Sequence, residues 1–154
     1  MNGHSILLVE DNPDDVDLTL RALKKNDISA KVVVARDGAE ALQYLMDCGA
    51  PSGDKPRQPP AVVLLDLKLP RVSGLEVLRT MRASDSIGLV PVVILTSSDE
   101  PQDVLEAYRS HANSYIRKPL DFSHFVDALQ RILHYWLQLN LSTVQVEKAN
   151  GKAM

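Results

Sequence analysis

Five residues that could carry out chemistry follow short apolar or β-rich runs in the sequence. Glu10 and Asp11 follow the first run and Asp66 follows the third, while Thr96 and Lys118 follow the fourth and fifth. Carboxylates, a hydroxyl and an ammonium group are the side chains that bind a divalent cation and a phosphoryl group together. The pattern therefore indicates phosphoryl chemistry if the fold brings these residues to one place.

Clustered carboxylates need a compensating cation. Two unit charges about 4 Å apart repel by roughly 4 kcal/mol at an effective dielectric near 20. An acidic all-oxygen site favours Mg²⁺, Ca²⁺ or Mn²⁺ over Zn²⁺, and bound Mg²⁺ commonly takes phosphate oxygens as further ligands. One carboxylate can then attack phosphorus to give an aspartyl-phosphate. We expect Asp66 to be that nucleophile, with Lys118 and Thr96 stabilising charge on the phosphoryl oxygens.

The alternation of strand and helix patterns predicts how these residues are positioned. Several of the β-rich runs are almost continuously apolar, which is typical of strands covered on both faces. The series predicts an α/β fold, a doubly wound five-stranded parallel sheet of flavodoxin-like order 2-1-3-4-5 with helices on both faces. Ligands of such sheets bind at the carboxyl ends of the strands, so the polar residues should meet at one edge. The predicted strands are residues 5–9, 31–35, 61–65, 90–95 and 114–117.

The helix signals differ along the chain. Asn12 is a predicted N-cap with Pro13 at the first helical position, and we interpret Asp14 and Asp15 as capping and dipole residues of that first turn. Residues 122–136 follow an i, i+3, i+4, i+7 rhythm that predicts the fifth helix. Shorter patterns predict helices around residues 41–46, 75–81 and 104–108.

Composition and charge exclude several classes of function. The chain has 154 residues, 45% hydrophobic and 24% charged, which is typical of a globular domain. A net charge of −3 without a Lys/Arg cluster argues against direct nucleic-acid binding. A single cysteine, Cys48, excludes an intrachain disulfide, and the apolar run at residues 6–9 is too short for a signal peptide or a membrane span. We therefore expect a cytoplasmic protein that binds neither nucleic acid nor membrane.

Two stretches lie outside the regular pattern. Residues 49–60 contain four prolines and mixed charge, which predicts a long surface loop. Residues 1–140 are expected to form one domain and residues 141–154, which lack a clear period, an irregular tail. The residues after the fifth helix are too few for a second core, so no effector domain is expected there.

Four sequence segments resemble the signatures of response-regulator receiver domains. Asp66 and Thr96 are 30 positions apart, and Thr96 and Lys118 are 22 apart, as in that family. The 55 positions from Asp11 to Asp66 exceed the usual spacing, and the long loop accounts for the excess. The segments are ILLVEDN (6–12), LLDLKLP (64–70), ILTS (94–97) and YIRKP (115–119).

The resemblance implies a role for each matching residue. Asp66 would be the phosphoacceptor, and Asp11, Asp66 and the backbone carbonyl of Lys68 would hold Mg²⁺. Glu10 would act through a metal-bound water, and Lys118 would pair with the phosphoryl oxygens. Lys68 is a departure from the family pattern two residues after the acceptor, where it bears on the lifetime of the phosphoryl bond.

The resemblance also implies a switch and partners. Thr96 would turn toward the phosphoryl group and Tyr115 would move into the space behind it, while the Lys118–Pro119 peptide bond would be cis. Signalling would run through protein contacts, with a sensor histidine kinase as donor and a homodimer through the fourth helix, fifth strand and fifth helix. The NPDD run at residues 12–15 and the LPRxxGL run at 69–75 are similar to standalone regulators that partner phytochrome-type kinases.

Three other functions fit less well. A phosphohydrolase with an aspartate nucleophile, as in haloacid dehalogenase-like enzymes, needs a second acid two residues after the nucleophile, where this chain has Lys68. A flavodoxin-like cofactor binder needs free N–H donors after the first strand, and the acids at 10–15 would repel its phosphate. A docking module without phosphorylation normally lacks the acceptor or the acid pair, and both are present. We expect a phosphoacceptor switch and not a turnover enzyme.

Overall fold

Strands and helices alternate along the part of the chain that the structure describes. The computed structural model describes residues 4–49 and 58–143. A π-helical segment, Tyr135–Leu139, continues the last α-helix. The elements are β1 (Ser5–Val9), α1 (Pro13–Lys25), β2 (Lys31–Ala35), α2 (Gly38–Gly49), β3 (Val62–Leu65), α3 (Gly74–Ala83), β4 (Val92–Thr96), α4 (Pro101–Arg109), β5 (Ser114–Arg117) and α5 (Phe122–His134).

The strands form one parallel sheet in the order β2-β1-β3-β4-β5. In the register, Val9 lies beside both Ala35 and Leu65, and Thr96 lies beside Arg117. The residues that follow these strands therefore leave the sheet at the same edge. The predicted fold class and strand order are confirmed.

The sheet separates two apolar layers. Alternate residues of the central strands point to opposite faces, and β3 is buried along its whole length. The continuous apolar runs in the sequence have this origin. One layer packs against α1 and α5, through residues such as Leu23 and Leu129, and the other packs against α2, α3 and α4, through residues such as Leu45 and Met81.

Two predicted strands begin later than expected. β3 begins at residue 62 and not 61, within the usual uncertainty of element ends. β4 begins at Val92 and not at Val90, because Pro91 has no N–H to donate. The N–H of Val90 donates to the Ile87 carbonyl in a turn, at 3.3 Å.

The first helix begins as predicted. The Asn12 side chain accepts hydrogen bonds from the N–H groups of Asp14 and Asp15, at 2.9 and 3.2 Å, and Pro13 is the first helical residue. This cap fixes the direction in which the chain leaves the site edge. Asp14 and Asp15, in the first turn of α1, therefore lie close to the edge where β1 ends.

Parts of two sequence predictions lie outside the described residues. These parts are residues 50–57 of the predicted loop and residues 144–154 of the predicted tail. Across residues 4–49 and 58–143, no helix combines the length and apolar character that a bilayer crossing requires.

Candidate functional site

Three carboxylates meet where β1 and β3 end. Glu10 and Asp11 follow Val9, and Asp66 follows Leu65, its neighbour in the sheet register. One ligand oxygen from each acid lies within 4.8 Å of the others. Glu10 is buried, Asp66 is half-buried and Asp11 is exposed, so the cluster opens to solvent on one side.

Lys118 brings a positive charge into this cluster from the end of β5. Its backbone N–H donates to the Thr96 carbonyl at 2.7 Å, which continues the β4–β5 pairing by one residue. Its Nζ donates hydrogen bonds to Glu10 Oε1 and, at 3.3 Å, to Asp15 Oδ2. The same Nζ lies 3.8 Å from Asp66 Oδ2. Three acids therefore share one ammonium group.

Glu10 is held through both of its carboxyl oxygens. Oε1 accepts from Lys118, and Oε2 accepts from the N–H of Asn12 at 3.2 Å. Burial raises the pKa of Glu10 from 4.5 to about 7, with the negative charge of Asp66 adding to the effect and the hydrogen bond from Lys118 opposing it. A pKa raised in this way means that part of the Glu10 population keeps its proton near neutral pH.

The pKa of Lys118 is also raised, and for a lysine this favours the charged form. Burial disfavours the ammonium form of Lys118, but the hydrogen bond and charge of Glu10, together with the charges of Asp66 and Asp15, outweigh it and raise the lysine pKa. Lys118 therefore stays cationic at neutral pH. It can stabilise negative charge that develops beside Asp66.

The loop after β3 fixes the position of Asp66. The acid's Oδ1 accepts from the N–H of Lys68 at 3.3 Å, and the N–H of Gly74 donates to the Leu67 carbonyl at 2.9 Å. A Cβ at position 74 would lie 2.2 Å from the Asp66 carbonyl oxygen, so only glycine permits this close approach. Sequence reasoning noted Gly74 only as part of a motif, although a glycine soon after an acidic strand end is the signal for such packing.

Asp15 is a second residue that sequence reasoning missed. Its N–H is capped by Asn12 as predicted, but its carboxylate contacts Lys118. No spacing rule links positions 15 and 118; the long lysine side chain reaches from the end of β5 to the first turn of α1. The capping interpretation was therefore incomplete, whereas for Asp14, which is exposed, the same interpretation accounts for its position.

The two predicted switch residues lie on neighbouring strands. Thr96 ends β4 and is 1% exposed. Tyr115 is half-buried, and its hydroxyl donates to the Ser98 carbonyl at 2.9 Å. The Ser98 hydroxyl in turn donates to Asp103 in α4 at 2.6 Å. Helix α4 has Glu100 as its N-cap, so Thr96 does not cap that helix.

The prediction of a cis bond before Pro119 is wrong. Every peptide bond among residues 4–49 and 58–143 is trans, including Lys118–Pro119. The expectation came from the family resemblance alone. The preference for trans before proline is only about 0.5–1 kcal/mol, and trans remains the common isomer.

The donor set of the cluster fits a hard divalent cation. Its ligand atoms are carboxylate oxygens, which Mg²⁺ and Mn²⁺ bind in preference to nitrogen or sulfur. The pKa of Glu10 is raised first by burial and then by the charge of Asp66, so a cation bound beside these acids would favour the ionised form of Glu10. Asp11 and Asp66 are the acids without a close lysine hydrogen bond, and they are the ones best placed to hold the ion.

Comparisons with known proteins agree with this site. The model of the family described as "Response regulator receiver domain" matches residues 6–130. The chain is 40% identical over 139 residues to a probable methanogenesis regulatory protein, FilR2, of Methanothrix harundinacea, covering 89% of this chain and 86% of that protein.

Two solved structures are also similar. The bacteriophytochrome response regulator AtBRR is 52% identical, with 82% of this chain and 90% of that chain covered and a TM-score of 0.68. The Mn²⁺-bound form of response regulator Rcp1 is 33% identical, with 90% and 98% covered and a TM-score of 0.77.

These matches define the class of protein. A family model over most of the chain, a parallel sheet in the receiver order and an acid–lysine cluster at its carboxyl edge all agree. The chain belongs to the response-regulator receiver domains, the phosphoacceptor modules of two-component signalling. It is similar to phytochrome-associated regulators, and a divalent cation is the cofactor that its acidic cluster fits.

Proposed function

We propose that this receiver domain accepts a phosphoryl group on Asp66. The observation that carries the proposal is the meeting of Glu10, Asp11 and Asp66 from two strand ends with Lys118, whose ammonium lies 3.8 Å from Asp66 Oδ2. Asp66 is reachable from solvent, whereas Glu10 is buried and hydrogen-bonded through both oxygens. We therefore assign Asp66, the acid at ion-pair distance from Lys118 that is not buried, as the nucleophile, and the exposed Asp11 to the cation.

In the transfer, an Asp66 carboxylate oxygen forms a bond to phosphorus. With a phosphohistidine donor, the P–N bond breaks and its electron pair stays on the imidazole, which then takes up a proton. The charge on the acceptor side grows, and Lys118 is the protein cation beside it. Thr96, one residue beyond the apolar part of β4, supplies a hydroxyl for a phosphoryl oxygen.

Asp11, Asp66 and the backbone carbonyl of Lys68 would hold Mg²⁺, with Glu10 acting through a water ligand. The ion neutralises the carboxylates and the phosphoryl oxygens when it is bound. The N–H of Lys68 already donates to Asp66, so the chain turns tightly at this point. The Lys68 side chain is exposed two residues after Asp66, and by steering water it would affect the lifetime of the phosphoryl bond.

The response to phosphorylation would pass through Thr96 and Tyr115. Tyr115 is tied to the β4–α4 loop through Ser98, and Ser98 is tied to α4. Movement of Thr96 toward a phosphoryl group would displace this loop and release Tyr115. The loop therefore connects the site to the outer surface of α4 and β5.

The phosphoryl donor would be a histidine kinase of the phytochrome type. The similarity to a bacteriophytochrome response regulator supports this assignment.

We also propose a homodimer through α4, β5 and α5, a surface on which Leu105 and Tyr108 are about half exposed. Because the protein accepts the phosphoryl group on its own side chain, we propose that it acts as a switch in the cytoplasm and not as a turnover enzyme. Residues 1–140 would form the receiver domain and 141–154 its tail.

The proposal is tested by phosphorylation in vitro. The protein is incubated with Mg²⁺ and acetyl phosphate and analysed by intact mass, in parallel with Asp66→Ala and with Asp99→Asn as an exposed-carboxylate control. We expect the mass of one phosphoryl group on the wild type and on Asp99→Asn but not on Asp66→Ala. The same adduct on Asp66→Ala, or none on the wild type, contradicts the proposal.

A further inference from the structure

Lys118 divides its hydrogen bonds between two acids of different accessibility. Its Nζ donates to Glu10 and to Asp15, and it lies only within ion-pair distance of Asp66, at 3.8 Å. An ammonium group has three donors. Glu10 and Asp15 take two of these donors, so the third reaches a phosphoryl group on Asp66 only if Nζ, now 3.8 Å from Asp66 Oδ2, moves toward Asp66 and its 3.3 Å bond to Asp15 lengthens.

Glu10 is the contact that cannot be given up easily. Its side chain is 4% exposed, so water cannot replace the lysine. A buried carboxylate that loses its cation is strongly destabilised. The hydrogen bond from Asn12 also keeps the Glu10 carboxyl in place. Of the two acids that Lys118 contacts, Glu10 is therefore the harder one to leave without its bond.

Asp15 is the contact that can be exchanged. Its side chain is 40% exposed, so water can solvate its carboxylate when Lys118 moves away. We propose that Asp15 is a positioning residue that holds the Lys118 ammonium in the resting protein and is exchanged for phosphoryl oxygens when Asp66 is modified. This inference rests on the proposed function of Asp66.

The exchange sets the sign of the effect. Asp15 competes with the phosphoryl group for the same ammonium, and its negative charge stabilises the resting arrangement. Removal of this charge should favour the phosphoryl-bound arrangement. Because a partly exposed ion pair contributes up to about 1 kcal/mol, which is about five-fold in affinity, we expect a gain of about two- to five-fold.

Asp14 offers a matched control. Asp14 and Asp15 are adjacent acids of the same helical turn, and both N–H groups are capped by Asn12. Asp14→Asn and Asp15→Asn remove the same charge from the same helix end, but only the second removes a contact of Lys118. Asp15→Glu keeps the charge and tests for rescue.

The experiment measures the binding of beryllium fluoride, an anion with the shape of a phosphoryl group, by isothermal titration in Mg²⁺. Asp15→Asn should bind it about two- to five-fold more tightly than Asp14→Asn, and Asp15→Glu should return toward wild type. Urea unfolding confirms that the two asparagine variants lose similar helix stability. Equal or weaker binding by Asp15→Asn overturns the inference alone, since the wild type still binds. If the wild type binds beryllium fluoride no better than Asp66→Ala does, both the proposed function and this inference are overturned.

Discussion

Burial differs between the two strands that precede the acidic cluster, β1 and β3, and the strand that carries Tyr115, β5. β3 is fully buried and β1 is buried from its second residue on, and Glu10 and Asp66 follow them. β5, which carries Tyr115 and precedes Lys118, has no fully buried residue. Helix α4 beside it has Ala107 as its buried residue and begins without a side-chain cap bond.

The difference assigns separate roles to the buried strands before the acidic cluster and to the segment that follows β4. Buried strands hold a reactive group in place because their displacement would break close packing. Segments with few buried contacts open at lower free energy and are the ones that move in regulation. We therefore expect the acceptor region, β1 and β3 with the residues that follow them, to stay fixed and the β4–α4–β5 region, defined here as residues 96–117, to change on phosphorylation.

The largest effect expected in the acceptor region comes from the buried Glu10. Its pKa of about 7 exceeds the 4.5 of the unfolded chain, so the native state holds this proton more tightly. Stability from this group is fully present below about pH 4.5 and is lost as pH rises to about 7, by on the order of 3 kcal/mol. Urea unfolding with EDTA should show wild type losing stability relative to Glu10→Gln over this range. Parallel curves of stability against pH for the wild type and Glu10→Gln would contradict this prediction. The control is Glu76→Gln, which changes an exposed glutamate and should follow the wild type.

Gly74 tests the fixed position of the acceptor loop. An added methyl group would overlap the Asp66 carbonyl oxygen, so Gly74→Ala should destabilise the protein by about 2 kcal/mol and slow phosphorylation. Ser73→Ala loses only the N-cap bond of α3 and should cost about 1 kcal/mol without slowing phosphorylation. Unfolding midpoints and the rate of adduct formation measure both. Equal phosphorylation rates in the two variants would mean that the loop tolerates displacement.

Metal binding should release a proton below neutral pH. A cation that binds beside Glu10 favours its ionised form, so affinity for Mg²⁺ should fall by up to about tenfold per pH unit below about pH 7. Isothermal titration in two buffers of different ionisation enthalpy detects the proton at about pH 6 and its absence at about pH 8.5. The same heat in both buffers at the lower pH is the opposing result.

The smallest effect is expected in the β4–α4–β5 region. Tyr115→Phe removes the bond to the Ser98 carbonyl and should cost about 1 kcal/mol, while Tyr108→Phe on exposed α4 should cost almost nothing. Neither should change the rate at which Asp66 is phosphorylated. A slower rate in Tyr115→Phe would show that the two regions are not separable in this way.

The sequence predicted the scaffold well because its signals are local. Continuous apolar runs identify buried parallel strands, and Asn12 with Pro13 identifies the start of α1. The meeting of Glu10, Asp11 and Asp66 followed from the rule that parallel strands end at one edge. These inferences need only the order of elements.

Other features depend on distances that sequence patterns do not contain. The Asp15–Lys118 contact joins residues 103 positions apart. The role of Gly74 depends on the Asp66 carbonyl oxygen, which would lie only 2.2 Å from a Cβ atom at position 74. Pro91 delayed the start of β4 through the loss of one donor. The isomer before Pro119 depends on a small energy difference that a motif does not determine.

Amide hydrogen exchange with and without beryllium fluoride, in wild type and Asp66→Asn, tests most directly whether one region stays fixed and the other responds. In the wild type, bound ligand should change the local opening of residues 96–117, whereas β1 and β3 should show only the uniform slowing that ligand binding gives to amides exchanging through global unfolding, and Asp66→Asn should show no change. Unchanged exchange in residues 96–117 of the ligand-bound wild type, or a change confined to β1 and β3, would contradict the account.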